Sequence, residues 1–332
     1  MQVLDIFNPQ VSVVANGLEG KVILLYGGNS TGKTYQAVRM NKPFVLACES
    51  GLNAQNGIPF ANIQTWADFL MVIKQLTNPA TIDKAKELYS TIIIDEVYAS
   101  AQFCQTYICN KEGVPTIGDG NGGYGLWQEY EVEYWKAVNA IVSSGYTVVF
   151  IAHATTDKDG KIIPKGDKRS ITPIMDNCDI ISFLNSNGVD ENRKVIHSSA
   201  YFAETKDYFA RSRFDYMVPF IEDFTAENLA NAITDAIKAQ EEAEGFRAVT
   251  FEAQKENNEI QKVPFEELKE KVVNYGMAFC NAGQQDLLQE MIADCLGEGN
   301  SVQAATKRQY ESLEILLGQL EDQKDKLGIE VA

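Results

Sequence analysis

The stretch Val22-Ile23-Leu24-Leu25-Tyr26-Gly27-Gly28-Asn29-Ser30-Thr31-Gly32-Lys33-Thr34 runs an apolar segment into a complete G-x-x-x-x-G-K-[ST] loop. A short apolar run closed by glycines reads as a buried strand that turns into a helix. The loop Gly27, Gly28, Asn29, Ser30, Thr31, Gly32, Lys33 and Thr34 then has the composition of a phosphate cradle. Its glycines let backbone N–H groups close around phosphate oxygens, Lys33 reaches the β- and γ-phosphates, and the Thr34 hydroxyl is a ligand for Mg²⁺. A helix beginning near Lys33 adds its positive end. The cofactors expected are therefore ATP and Mg²⁺.

Outward from this loop, the 332 residues suffice for one large α/β domain and a smaller unit. No apolar stretch approaches the roughly 18 residues that span a bilayer, and Met1-Gln2-Val3-Leu4-Asp5 lacks the basic-then-apolar leader pattern. A soluble, cytoplasmic protein without membrane partners is expected. Cys48, Cys104, Cys109, Cys178, Cys280 and Cys295 form no C-x-x-C pair, and His153 and His197 are the two histidines, which argues against zinc and disulfides. The net charge of −17 opposes nonspecific nucleic-acid binding through overall charge. Residues 240–332, however, hold 9 Lys and Arg against 19 Asp and Glu. A DNA-binding surface must then be a local patch on the first unit.

Periodicity predicts a strand at 21–26, a helix to about Met40, and a second strand Pro43–Ala47, which together make a βαβ unit. A short strand near Ile63 and helices over Trp66–Leu76 and Thr81–Tyr89 follow. The β-branched run Thr91–Asp95 returns to the sheet as a strand buried on both faces. A helix from about Ala99 to Cys109 leads into the segment 113–125, too rich in glycine for a regular element. A helix over Leu126–Val142 and a strand Tyr146–Ala152 come next, with His153 at that strand's end. Residues 154–170 read as a polar loop carrying Lys158, Lys161, Lys165, Lys168 and Arg169. Strands at Ile180–Leu184 and Lys194–Phe202, turning at Asn187-Gly188, precede a helix over Thr225–Glu244. The expected organisation is a core over 1–244, a linker over 245–263 and an acidic helical region over 264–332. Helices are predicted at 264–281, 284–296 and 301–327, with Leu313, Leu316, Leu317 and Leu320 as a core stripe in the last.

Asp95 ends a buried strand, where a phosphate-loop enzyme places the carboxylate that holds the metal's water shell. Two glutamates compete for the base that polarises the attacking water: Glu96, which follows directly, and Glu49, just after the second strand. In an open parallel sheet the C-terminal strand ends border the ligand crevice, so Glu49, Asp95 and His153 converge there. His153 has a polar tip able to sense the γ-phosphate and a basic segment immediately after it. Arg211 and Arg213, one residue apart in an extended segment, point the same way and suit phosphate recognition, including insertion into a neighbouring subunit's site. Tyr124 and Trp127 at the exit of the glycine-rich loop, with the five cations of residues 158–169, supply stacking faces and charge for single-stranded DNA.

Taken in order, the loop Gly27–Thr34, Glu49, Asp95, the glycine-rich loop, His153, the basic segment and the Arg211-x-Arg213 pair resemble the RecA-like recombinase core over about residues 20–222. The likeness is greatest to the compact phage RecA-like proteins that anneal single-stranded DNA. It implies an α/β RecA-like P-loop NTPase core, with a mainly parallel sheet flanked by helices and a C-terminal α-helical extension. It also implies Glu49 as the catalytic glutamate, His153 in place of the usual glutamine sensor, and the two arginines acting across a subunit interface. Under this resemblance the chain is a phage or prophage ATPase in a bacterial host, binding single-stranded DNA as a ring or filament. A helicase-like motor or loader is a second reading. A third is a non-catalytic nucleotide switch that recruits a partner, such as a single-strand-binding protein, through its C-terminal helices.

Overall fold

All six residues of β1 (Val22–Gly27) are buried, as are all five of β4 (Thr91–Asp95), so these strands lie in the middle of a covered sheet. In the computed structural model, which describes residues 6, 7, 9–258 and 262–331, ten strands form that sheet. The other strands are β2 (Pro43–Ala47), β3 (Phe60–Asn62), β5 (Thr147–Thr156), β6 (Ile162–Pro164), β7 (Ile180–Asn185), β8 (Ser199–Tyr201), β9 (Arg211–Ser212) and β10 (Phe220–Ile221). Their order is β10-β8-β7-β1-β5-β4-β2-β3, with β6 on β5 and β9 on β7. The six strands from β7 to β3 pair in parallel, and the other four join antiparallel.

Alternate residues of each central strand face opposite layers. Leu24, Tyr26, Ile92, Ile94 and Phe150 pack under α2 (Trp66–Thr77), α4 (Val97–Glu112), α5 (Trp127–Val142) and α6 (Lys168–Asn177). Ile23, Leu25, Ile93 and Val149 face α7 (Ala226–Glu244) and the residues of α1 (Lys33–Ala37). A short α3 (Ile82–Leu88) precedes β4. An α/β core with a mostly parallel, helix-flanked sheet and C-terminal helices is therefore the architecture.

Four local expectations are corrected. The first helix ends at Ala37 rather than Met40, because Arg39 and Met40 donate three residues back, to Gln36 and Ala37, and Lys42 then takes a left-handed φ of 40°. β5 does not stop at Ala152 but continues to Thr156, and residues 154–170 are not one loop. Asp157 Oδ1 accepts from the N–H groups of Asp159 and Lys161, which folds the chain back as β6, and Asp167 caps α6 at Lys168. The strand expected over 194–202 pairs only at Ser199–Tyr201. Finally, residues 245–258 do not behave as a linker. They carry α8 (Phe251–Asn258), Val249 bridges Ala15, and the Phe251 ring fills the space beside Gly20, where an added Cβ would lie 2.0 Å from it.

The chain divides into Val11–Asn258 and a smaller helical unit. The latter is built on α9 (Phe265–Asn281), α10 (Gln285–Leu296) and α11 (Tyr310–Leu327), with Leu268, Val272, Phe279, Leu313, Leu316 and Leu320 at its centre. Residues 1–5, read above for a leader pattern, and 259–261 of the expected linker lie outside the described residues. Among the described residues no helix is long and apolar enough to cross a membrane.

Candidate nucleotide site

The phosphate loop leaves β1 where β7 stands on one side and β5 on the other, so the crevice is flanked by parallel strand ends. Gly27 is required by close approach, since a Cβ there would lie 2.4 Å from the Leu184 carbonyl oxygen. Gly32 has a left-handed φ of 79° and opens α1. The buried Lys33 ammonium donates to the carbonyls of Gly28 at 2.7 Å and Gly27 at 3.1 Å. Burial lowers its pKa, while the carboxylates of Asp95, Glu96 and Glu49 oppose that shift.

Thr34 Oγ1 donates to Asp95 Oδ2 at 2.8 Å, which joins the end of the loop to the end of β4. Burial raises the Asp95 pKa first, and the Thr34 hydrogen bond acts against it. A hydroxyl and a carboxylate at one corner are hard oxygen donors of the kind Mg²⁺ takes. Gly51 keeps that corner open: an added Cβ would sit 2.9 Å from Asp95 Oδ2. Sequence reading passed over Gly51; its only signal is a glycine two residues after Glu49.

The Cys48 and Glu49 N–H groups donate to the Asp95 carbonyl, at 2.6 and 3.3 Å, so the ends of β2 and β4 are tied together. Glu49 thereby enters the crevice with its side chain 43% exposed, and its Oε2 lies 3.4 Å from His153 Nε2. Register places His153 beside Gly27, and the Lys165 N–H donates to the His153 carbonyl from the far arm of the β5–β6 hairpin. Glu96 differs from Glu49. It is 1% exposed, it caps α4 by accepting from the Ala99 N–H, and its Oε2 has no hydrogen-bond partner. Burial, then the Glu49 charge, pushes its pKa up to about 7.

Arg211 and Arg213 are not brought to this crevice. β9 pairs with the first residues of β7, at the opposite end of the sheet. There the Arg211 guanidinium donates to the carbonyls of Met175 at 2.5 Å and Cys178 at 2.9 Å, satisfying the last turn of α6. Arg211 is thus spent on carbonyls of its own chain. Arg213 donates to the Asp176 carbonyl and pairs with Asp179 at 3.5 Å, with half its side chain exposed.

The two DNA-facing candidates meet at one point: the Arg169 guanidinium lies 4.6 Å from the centre of the Trp127 ring. Trp127 is half-buried against the core, whereas Tyr124 is 86% exposed. Lys158 and Lys168 are exposed. Lys165 lies 4.4 Å from the Tyr98 ring centre, and Lys161 is ion-paired with Glu204.

Residues 19–214 match the model of a family described as an AAA domain. The chain is 51% identical over 319 residues to an SPbeta prophage-derived uncharacterized protein, YorG, of Bacillus subtilis strain 168. That alignment covers 96% of this chain and 98% of the relative.

Proposed function

From a chain that belongs to the AAA-domain family of P-loop ATPases, we infer an ATP-dependent single-strand-DNA-binding protein that anneals or recombines DNA. The observation that carries this reading is the continuity of β5. Its middle places His153 beside the phosphate loop and Glu49, and its end turns directly into the hairpin that bears Lys158, Lys161 and Lys165. A change at the γ-phosphate is therefore one strand away from a cluster of cations. The prophage origin stated for the relative suits such a role.

In this reading the loop N–H groups and Lys33 bind the triphosphate, while Thr34 and Asp95 hold Mg²⁺. When bound, the ion neutralises phosphate charge. Glu49, half-exposed in the crevice, takes a proton from the attacking water as its oxygen bonds to the γ-phosphorus and ADP leaves. His153 couples the phosphate to the hairpin. Tyr124, Trp127 and Arg169 offer stacking faces and charge to bases and phosphates. A ring or filament with ATP between neighbours completes the proposal, and Arg213, half-exposed beside Asp179, is the residue of that pair within reach of a neighbour.

Turnover of ATP, measured with and without single-stranded DNA, tests this reading. DNA should stimulate the wild type, and Glu49→Gln should abolish the stimulated rate while Glu96→Gln retains most of it. The reverse ranking would support the motor reading, in which Glu96 is the base. Its position directly after Asp95 and its unpartnered Oε2 favour that second reading. DNA binding that is indifferent to ATP, ADP and Lys33→Ala would sink the proposal.

A further inference from the structure

Glu49 and Glu96 follow the ends of β2 and β4 and His153 lies within β5, yet one ligand atom of each lies within 4.8 Å of the others. Two features set this cluster apart from an ordinary acidic patch. Glu96 is 1% exposed, and its Oε2 is buried with no hydrogen-bond partner; a buried carboxylate oxygen ordinarily has one. His153 Nδ1 is likewise buried and unpartnered, while Nε2 lies toward Glu49. Glu49, Glu96 and Asp95 also gather around the single Lys33 ammonium, a surplus of oxygen donors over cations.

We propose that Glu49, Glu96 and His153 form a second cation site, selective for divalent transition ions and separate from the Mg²⁺ corner at Thr34 and Asp95. The selectivity follows from the donors. Mg²⁺ prefers oxygen and keeps its waters, whereas one imidazole with two carboxylates suits Mn²⁺, Fe²⁺, Co²⁺ or Zn²⁺. Bond lengths of roughly 2.0–2.2 Å require donor atoms about 3–3.5 Å apart. Closing from 4.8 Å asks for a movement of little more than an ångström, and Glu49, with 43% of its side chain exposed, is the residue free to make it. The buried Glu96 and the strand-held His153 form the fixed side.

Filling this site would sequester Glu49. On the reading of Glu49 as the base, a bound transition ion holds the enzyme in a state that keeps nucleotide but does not hydrolyse it. The site itself does not depend on that reading, and binding is measured apart from turnover.

The test uses full-length protein without nucleotide and Mn²⁺ as the probe. Calorimetry should give one ion per chain, and pulsed electron paramagnetic resonance should show coupling to an imidazole nitrogen. His153→Gln should remove the nitrogen coupling, and both His153→Gln and Glu49→Gln should weaken binding at least tenfold while the melting temperature stays near that of the wild type. Thr34→Ala should leave Mn²⁺ binding intact. Binding lost in Thr34→Ala but kept in Glu49→Gln would place the ion at the phosphate loop and overturn the proposal. Absence of Mn²⁺ binding with the fold intact would overturn it as well, leaving Glu49 and Glu96 as a proton-sharing pair. Should the ion bind as proposed but leave ATP turnover in excess Mg²⁺ unchanged, the site stands and the assignment of Glu49 as base falls.

Discussion

The two ends of the central sheet treat charge in opposite ways. At the N-terminal ends of β1 and β7 the charged side chains named below are answered from within the fold, and of their buried atoms only Arg211 Nε lacks a partner. Asp179 accepts from the Val22 N–H at 2.8 Å and pairs with Arg213, Arg211 closes the end of α6, and Lys21 donates to the Ala15 carbonyl. At the C-terminal ends, Lys33, Asp95, Glu49, Glu96 and His153 crowd together, and the Glu96 Oε2 and His153 Nδ1 atoms stay unpartnered. A folded chain satisfies its buried polar groups wherever stability alone decides. Where two buried atoms of one cluster lack partners, that cluster is a candidate for chemistry. The difference separates a structural end of the sheet from a chemical one, although both are rich in charge.

Substitutions at the two ends should therefore fail in different assays. Glu49→Gln should give the largest effect: turnover falls by about 10²–10⁴-fold, the range for removing a general base, while the melting temperature does not fall. Steady-state hydrolysis beside a thermal melt checks both halves. Arg211→Ala should do the reverse. Removing the guanidinium that bonds the Met175 and Cys178 carbonyls should cost about 1–3 kcal/mol in denaturant unfolding, with turnover per folded molecule unchanged. A loss of turnover at full stability would instead give Arg211 a chemical role and break the comparison. Asp179→Asn keeps the shape but removes the charge facing Arg213 and one acceptor strength at Val22. About 0.5–1.5 kcal/mol of stability should be lost, again without a kinetic effect. The smallest change is expected from Arg169→Gln, which removes a cation–π contact of about 0.5–1 kcal/mol at Trp127. Its stability loss should be barely measurable, and the salt dependence of single-strand DNA binding is where it should be read.

What was legible in the chain was local. The strand–loop unit around Gly27–Thr34 and the β-branched strand ending at Asp95 announce themselves through contiguous residues, and both lie where expected. Glu49 and His153 were legible by one further step, the rule that parallel strand ends share a crevice, and the structure does bring them together. The β5–β6 hairpin was not legible, because Asp157 specifies the turn through its side chain while the residues around it read as generic polar loop. The intrachain partners of Arg211 and Arg213 were hidden for a different reason. Their spacing correctly puts them in an extended segment, but their partners are carbonyls 33 to 37 positions away at the end of α6. Phe251, too, sits in a stretch of weak periodicity and gains its place only against Gly20 and Gly145, distant in the chain.

The sequence by itself determined that this protein has a phosphate loop, a buried strand ending in the Asp95 carboxylate and a mostly parallel α/β sheet, because each rests on backbone preferences and periodicity within a dozen residues. Only the tertiary structure decided which charges are free. Whether a carboxylate or guanidinium is spent on its own fold depends on carbonyls and N–H groups that strand order delivers from elsewhere. On that ground alone Arg211 becomes part of the scaffold, while Glu49, Glu96 and His153 become a cluster still short of partners.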